Sequence, residues 1–123
     1  MTAGSGAFDA SFSAGTRFGD DPGTNPEELI GAAFAGCFSM ALAYALGQAS
    51  YQPERIETTA RVHIERVEGG FRIATVELDT QGHVPGIDEA TFRQFAEQAK
   101  SGCPVSQALR GVDNVLLTAR LAG

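Results

Sequence analysis

The chain has 123 residues, 43% of them hydrophobic and 20% charged, with a formal net charge of −6. That length suits one domain, and the balance excludes a disordered chain. Eight of the nine basic residues are scattered arginines, so no basic patch is formed for a nucleic acid backbone.

Residues 1–23 are rich in Gly, Ser, Ala and Asp. Phe8, Ala10, Phe12 and Ala14 alternate with small or polar neighbours, which predicts one short strand. Thr16-Arg17-Phe18 follows, then a polar loop, Gly19 to Gly23. The opening residues, Met1 to Gly6, carry neither a basic nor an apolar signal region, so the expected compartment is the cytoplasm.

A helix then starts on two overlapping signals. Thr24 with Glu27 makes a capping box; alternatively Asn25 is the N-cap, with Pro26 at N1 and Glu28 at N3. Leu29 to Leu46 holds 18 residues without a charge. A membrane span needs about 20 apolar residues. This run is Ala- and Gly-rich and has acidic residues at its mouth, so a buried central helix is the expected reading and no membrane partner is expected. Gly31, Ala32, Ala35 and Gly36 would let another element approach closely, a dimer partner being one candidate.

Gly47 to Pro53 ends the helix. Ile56 to Val67 alternates, with Ala60, Val62 and Ile64 on one face and Arg61, His63 and Glu65 on the other. Glu68-Gly69-Gly70 is a turn, and Phe71 to Thr80 is the second strand of a hairpin. Its apolar parity shifts between Phe71/Ile73 and Val76/Leu78, which predicts a bulge. Gln81 to Ile87 reads as a loop. Asp88 caps a second helix with Phe92, Phe95, Ala96 and Ala99 at helical spacing, ended by Gly102. Cys103-Pro104 opens a short third helix, with Val105, Ala108 and Leu109 on one face, and Val112 to Leu121 is a last strand. Hairpin and helices segregate, so the fold class is α+β with a largely antiparallel sheet.

Two cysteines are present, Cys37 and Cys103. They are too few for a structural zinc site, and His63 and His83 show no ligand spacing with them. By position alone Cys37 is a small buried hydrophobe inside an apolar helix. Cys103 stands at a helix N-cap, where free N–H groups and the helix dipole lower a thiol pKa. Glu27 needs no role beyond capping, and Arg17 reads as a solvated loop arginine. A cysteine–histidine dyad with either histidine is the weaker alternative.

Two blocks carry a resemblance. Thr24-Asn25-Pro26-Glu27-Glu28-Leu29-Ile30-Gly31-Ala32-Ala33-Phe34-Ala35-Gly36-Cys37-Phe38-Ser39-Met40-Ala41 and Gly102-Cys103-Pro104-Val105-Ser106-Gln107-Ala108-Leu109 resemble the signatures of the OsmC/Ohr family. Val84-Pro85-Gly86-Ile87-Asp88 is closer to the OsmC branch. The resemblance runs from about Gly6 to the C-terminus. It implies a single OsmC-like domain over residues 1–123 with a shortened N-terminal strand region. It implies antiparallel sheets around two main helices, in an intertwined homodimer with sites at the subunit interface. It implies a thiol peroxidase acting on organic hydroperoxides, with Cys37 peroxidatic, Cys103 resolving, and Glu27 and Arg17 at the site. No metal or flavin is implied; the reductant is a dithiol such as a lipoyl group. Phe34 replaces a histidine found in many members, which implies a changed pocket. Phe34, Phe38 and Met40 are the expected apolar surroundings of the substrate.

Elementary chemistry gives the arginine and glutamate work to do. A free thiol has a pKa of about 8.5, and burial raises it. A cation within about 4–6 Å lowers it, and an arginine stays charged while a carboxylate aims its fork. Glu27 and Cys37 are ten residues apart, a rise of about 15 Å on a continuous helix. Either the helix breaks, for instance at Gly31, or Glu27 serves the other subunit's Cys37. Two readings without peroxidase turnover stand beside this one: a redox sensor using the same disulfide, and an apolar-ligand-binding dimer with inert cysteines.

Overall fold

A computed structural model describes residues 1–122. The elements in order are α1 (Ala14–Phe18), α2 (Pro26–Gln48), β1 (Arg55–Val67), β2 (Gly70–His83), α3 (Glu89–Gly102), α4 (Pro104–Ala108) and β3 (Asn114–Leu121). The fold is α+β, as expected. The sheet runs β1-β2-β3, with β1 and β2 antiparallel and β3 parallel to β2. The last pairing departs from a wholly antiparallel sheet, because α3 and α4 form the crossover that a parallel neighbour requires.

The expected strand over Phe8 to Ala14 is not formed. An isolated bridge joins Thr2 to Asp9, and the chain turns at Ser13 into α1. Ser13 and Thr16 make a reciprocal capping box, an ordering signal that outweighs alternation where no sheet covers one face. Phe8 and Phe12 are accordingly exposed.

Asn25 caps α2, with Pro26 in the first turn. Thr24 instead donates its hydroxyl to the Glu28 carboxylate at 2.5 Å. The helix is continuous for 23 residues. It is long and apolar enough to cross a membrane, yet Phe34, Phe38, Leu42 and Leu46 are fully buried within the domain core. Only one face is covered: Met40 is 75% and Tyr44 70% exposed. Gly31 sits against β1, where an added Cβ would come within 2.9 Å of Val62 and 3.4 Å of Ala60.

The hairpin bulge is present. Register shifts between His63 and Ile64, which face Thr75 and Ile73, leaving Ala74 as the extra residue. Beyond it Val76, Leu78 and Thr80 are buried against the helices. β2 extends to His83, so the expected loop from Gln81 starts later. Asp88 caps α3 by accepting from the Thr91 amide at 2.6 Å, and Phe92, Ala96 and Ala99 are buried from that helix.

A chain of hydroxyls, two half-buried and one buried, runs beside these apolar contacts. Ser39 of α2 donates to Thr58 of β1 at 2.7 Å. Thr58 and Thr80 of β2 lie 2.9 Å apart, and Thr80 donates to the Glu57 carbonyl at 3.2 Å. Each hydroxyl has one proton, so the chain has one direction, from Ser39 through Thr58 and Thr80 to the backbone.

Candidate active site

The four candidate residues fall into two pairs. The first pair is ionic. α1 carries Arg17 in its last turn, and α2 carries Glu27 in its first. Arg17 Nε lies 3.1 Å from Glu27 Oε2. The guanidinium also lies 5.8 Å from the Phe18 ring, which in turn packs on Phe71 at 5.2 Å between centroids. Glu27 borders a groove of about 460 Å³ walled by Ile64, Phe71, Ile73, Leu109 and Val112.

The second pair is the thiols. Cys37 projects from the middle of α2 and is half-buried; Cys103, fully buried, ends α3 and caps α4. A sequence separation of 66 is closed by the packing of α2 on α3 and α4, and the Cys37 thiol lies near enough to Cys103 to raise its pKa. Both cysteines are free thiols here.

Cys103 Sγ accepts from the Ser106 amide at 3.4 Å, the N-cap contact expected from Gly-Cys-Pro. Its net electrostatics differ from that expectation. Burial pushes the Cys103 thiol above its ordinary value; the Ser106 N–H opposes this, and the nearby Cys37 thiol adds to the rise. Desolvation outweighs a cap only five residues long.

The two pairs do not meet within one chain. α2 has no break at Gly31, which removes the first of the two alternatives, and Glu27 and Cys37 stand about 15 Å apart along its axis. Phe34 and Phe38 belong to the core and Met40 faces outward, so none of the three borders the groove at Glu27. Its actual walls come from the hairpin end and the segment after α4, which share no local spacing with the cysteines. Among the described residues no three His, Cys, Asp or Glu side chains form a metal-binding group.

The sequence matches the OsmC-like protein family over residues 19–116. The chain belongs to that family. It is 54% identical over 95 residues to peroxiredoxin OsmC of Escherichia coli, covering 77% of this chain and 66% of that protein, just under two thirds of its length. It is 36% identical over 115 residues to the organic hydroperoxide resistance protein of Xanthomonas axonopodis pv. citri, covering 91% of this chain and 79% of that protein. The fold matches the organic hydroperoxide resistance protein of Elizabethkingia anophelis with a TM-score of 0.80 at 29% identity, over 98% of this chain and 86% of that one. OhrB of Bacillus subtilis matches with a TM-score of 0.75 at 28% identity, over 98% and 87% of the two chains.

Proposed function

We propose that this OsmC-family chain is a two-cysteine thiol peroxidase that reduces organic hydroperoxides to alcohols. The observation that carries the reading is the meeting of the half-buried Cys37 thiol with the buried Cys103 thiol. The names of the relatives, peroxiredoxin and organic hydroperoxide resistance protein, support the substrate class.

In the first step the Cys37 thiolate attacks the terminal peroxide oxygen. The O–O bond breaks, Cys37 becomes a sulfenic acid, and the alkoxide leaves and takes a proton to become the alcohol. Cys103 then attacks the sulfenic sulfur, forming the Cys37–Cys103 disulfide and releasing water. An external dithiol, for which a lipoyl group is our candidate, reduces the disulfide and is itself oxidised. A reducing compartment such as the cytoplasm keeps such a disulfide transient.

The reading also calls for a homodimer. Arg17 is already paired with Glu27, and Glu27 stands about 15 Å along one unbroken helix from its own Cys37. A second copy brings its Cys37 to this Arg17–Glu27 pair, where the guanidinium stabilises the thiolate. The exposed face of α2 at Gly36, Met40 and Tyr44 is where a second copy would be received.

The test is consumption of cumene hydroperoxide with excess dihydrolipoamide. Wild type is expected to turn over, Cys37→Ser to be inactive, and Cys103→Ser to accumulate sulfenic acid without forming the disulfide. An inert, fully reduced wild type would remove the enzyme reading.

A further inference from the structure

Asn25 makes two hydrogen bonds with opposite ends of one amide. Its Oδ1 accepts from the Glu28 amide at 2.8 Å, which caps α2. Its Nδ2 donates to the carbonyl of Thr16 at 3.1 Å. A backbone N–H on one side and a C=O on the other fix which way the amide points. The residue after Thr16 is Arg17, and two positions after Asn25 is Glu27. We propose that Asn25 is a positioning residue, whose amide ties the α1 turn to the mouth of α2 and so delivers Arg17 to Glu27. This rests on the reading of Arg17 as the cation that stabilises the Cys37 thiolate.

The turn needs such a tie. α1 is five residues long, and a helix that short has no stability of its own. Its internal bonds are good: Ser13 donates its amide to Thr16 Oγ1 at 2.8 Å, and Thr16 returns its amide to Ser13 Oγ at 3.2 Å. These set the shape of the turn but not its place on the domain. The Arg17–Glu27 pair is partly exposed, with 38% of the arginine side chain in solvent, and such a pair does not hold a segment alone. The connection to α2 is itself tight. The Thr24 amide donates to the Ser11 carbonyl at 3.1 Å, and Gly23 has φ +133°, with an added Cβ only 2.7 Å from the Ser11 oxygen. Between these anchors the Asn25–Thr16 bond is the one that grips the α1 backbone next to Arg17.

Residue chemistry supports the second job. Ser, Thr, Asp and Asn all serve as N-caps. Among them only asparagine offers an acceptor and an amide donor on one planar group, and here both are used. Capping alone would not require it.

The experiment follows Cys37 alkylation by iodoacetamide against pH, with the Cys37 peptide quantified by mass spectrometry. The variants are Asn25→Ser, Asn25→Asp and Arg17→Gln. Serine and aspartate keep the cap and lose the amide N–H₂ that reaches the Thr16 carbonyl. Both Asn25 variants are expected to keep the helical circular dichroism spectrum and to move the labelling midpoint up by about one pH unit, towards that of Arg17→Gln. Peroxide reduction at neutral pH then falls about tenfold. If Arg17→Gln moves the midpoint and both Asn25 variants label like wild type, the tether is wrong and the role of Arg17 survives. A shift in only one Asn25 variant, or loss of fold in both, also overturns the tether. If Arg17→Gln itself labels like wild type, the thiolate role of Arg17 fails and this inference falls with it.

Discussion

At the scale of the residue, Cys103 carries the clearest electrostatic signature. Its buried thiol holds its proton beyond the ordinary range, chiefly through desolvation. The thiolate is the attacking form. Disulfide closure is therefore expected to quicken as pH rises past neutrality, and dimedone trapping of the Cys37 sulfenic acid to decline in step. Stability has the opposite slope. In the unfolded chain the thiol returns to a pKa of about 8.5. Below that pH both states are protonated and the native contribution is complete. Above it the unfolded chain releases the proton first, so stability is lost as pH rises through the folded value. The reduced wild type is expected to lose melting temperature above about pH 8.5 more steeply than Cys103→Ala. Parallel slopes would contradict a raised thiol. Asp88 behaves in the reverse sense: the Thr91 amide lowers its pKa, so its contribution is present above the ordinary carboxylate range and fades in acid.

At the scale of the element, α2 is held on the sheet by two different kinds of contact. One is close approach at Gly31, where Val62 of β1 fills the space a side chain would take. A large residue there must push a stiff β-branched neighbour off its rotamer, so Gly31→Leu is expected to cost about 1–3 kcal/mol in urea unfolding. The other is the hydroxyl chain from Ser39 to the Glu57 carbonyl. Thr80→Val keeps the shape but strips the fully buried link, leaving Thr58 without its acceptor. The expected loss is about 1–3 kcal/mol, and Thr80→Ser should recover most of it. Much of this level was legible in the sequence because its causes are local. Asn25-Pro26 announced the start of α2, the parity shift announced the Ala74 bulge, and Gly102-Cys103-Pro104 announced a capped turn. The strand at Phe8 to Ala14 failed because alternation forms a strand only where a neighbouring strand accepts it, and among the described residues that segment makes only the isolated Asp9–Thr2 bridge. The meeting of Cys37 and Cys103, the Asn25–Thr16 bond and the walls of the Glu27 groove depend on tertiary packing, so no local pattern announced them.

At the scale of the whole molecule, one chain holds every candidate group but not in one place. The ionic pair stands at the start of α2, the thiols near its middle, and the helix between them is unbroken. The distance is fixed by helix rise, so side-chain motion does not close it. The proposed two-fold dimer would close it if each subunit offers its start of α2 to the middle of the other. The arrangement makes a test by complementation. Cys37→Ser keeps a sound Arg17–Glu27 pair, and Glu27→Gln keeps a sound pair of thiols; each homodimer is expected to be inactive or nearly so. Unfolded and refolded together in equal amounts, half the dimers are mixed, and each mixed dimer regains one complete site, so about a quarter of wild-type peroxidase activity should return. Had Glu27 served its own Cys37, no mixed dimer would hold a complete site and mixing would recover nothing. Adding Gly36→Leu to both chains gives the matching control. Gly36 faces open space, so the substitution leaves the fold of the chain alone. If that face receives the partner, the bulky side chain abolishes both the dimer and the recovered activity, read by size-exclusion chromatography and peroxide consumption on the same samples.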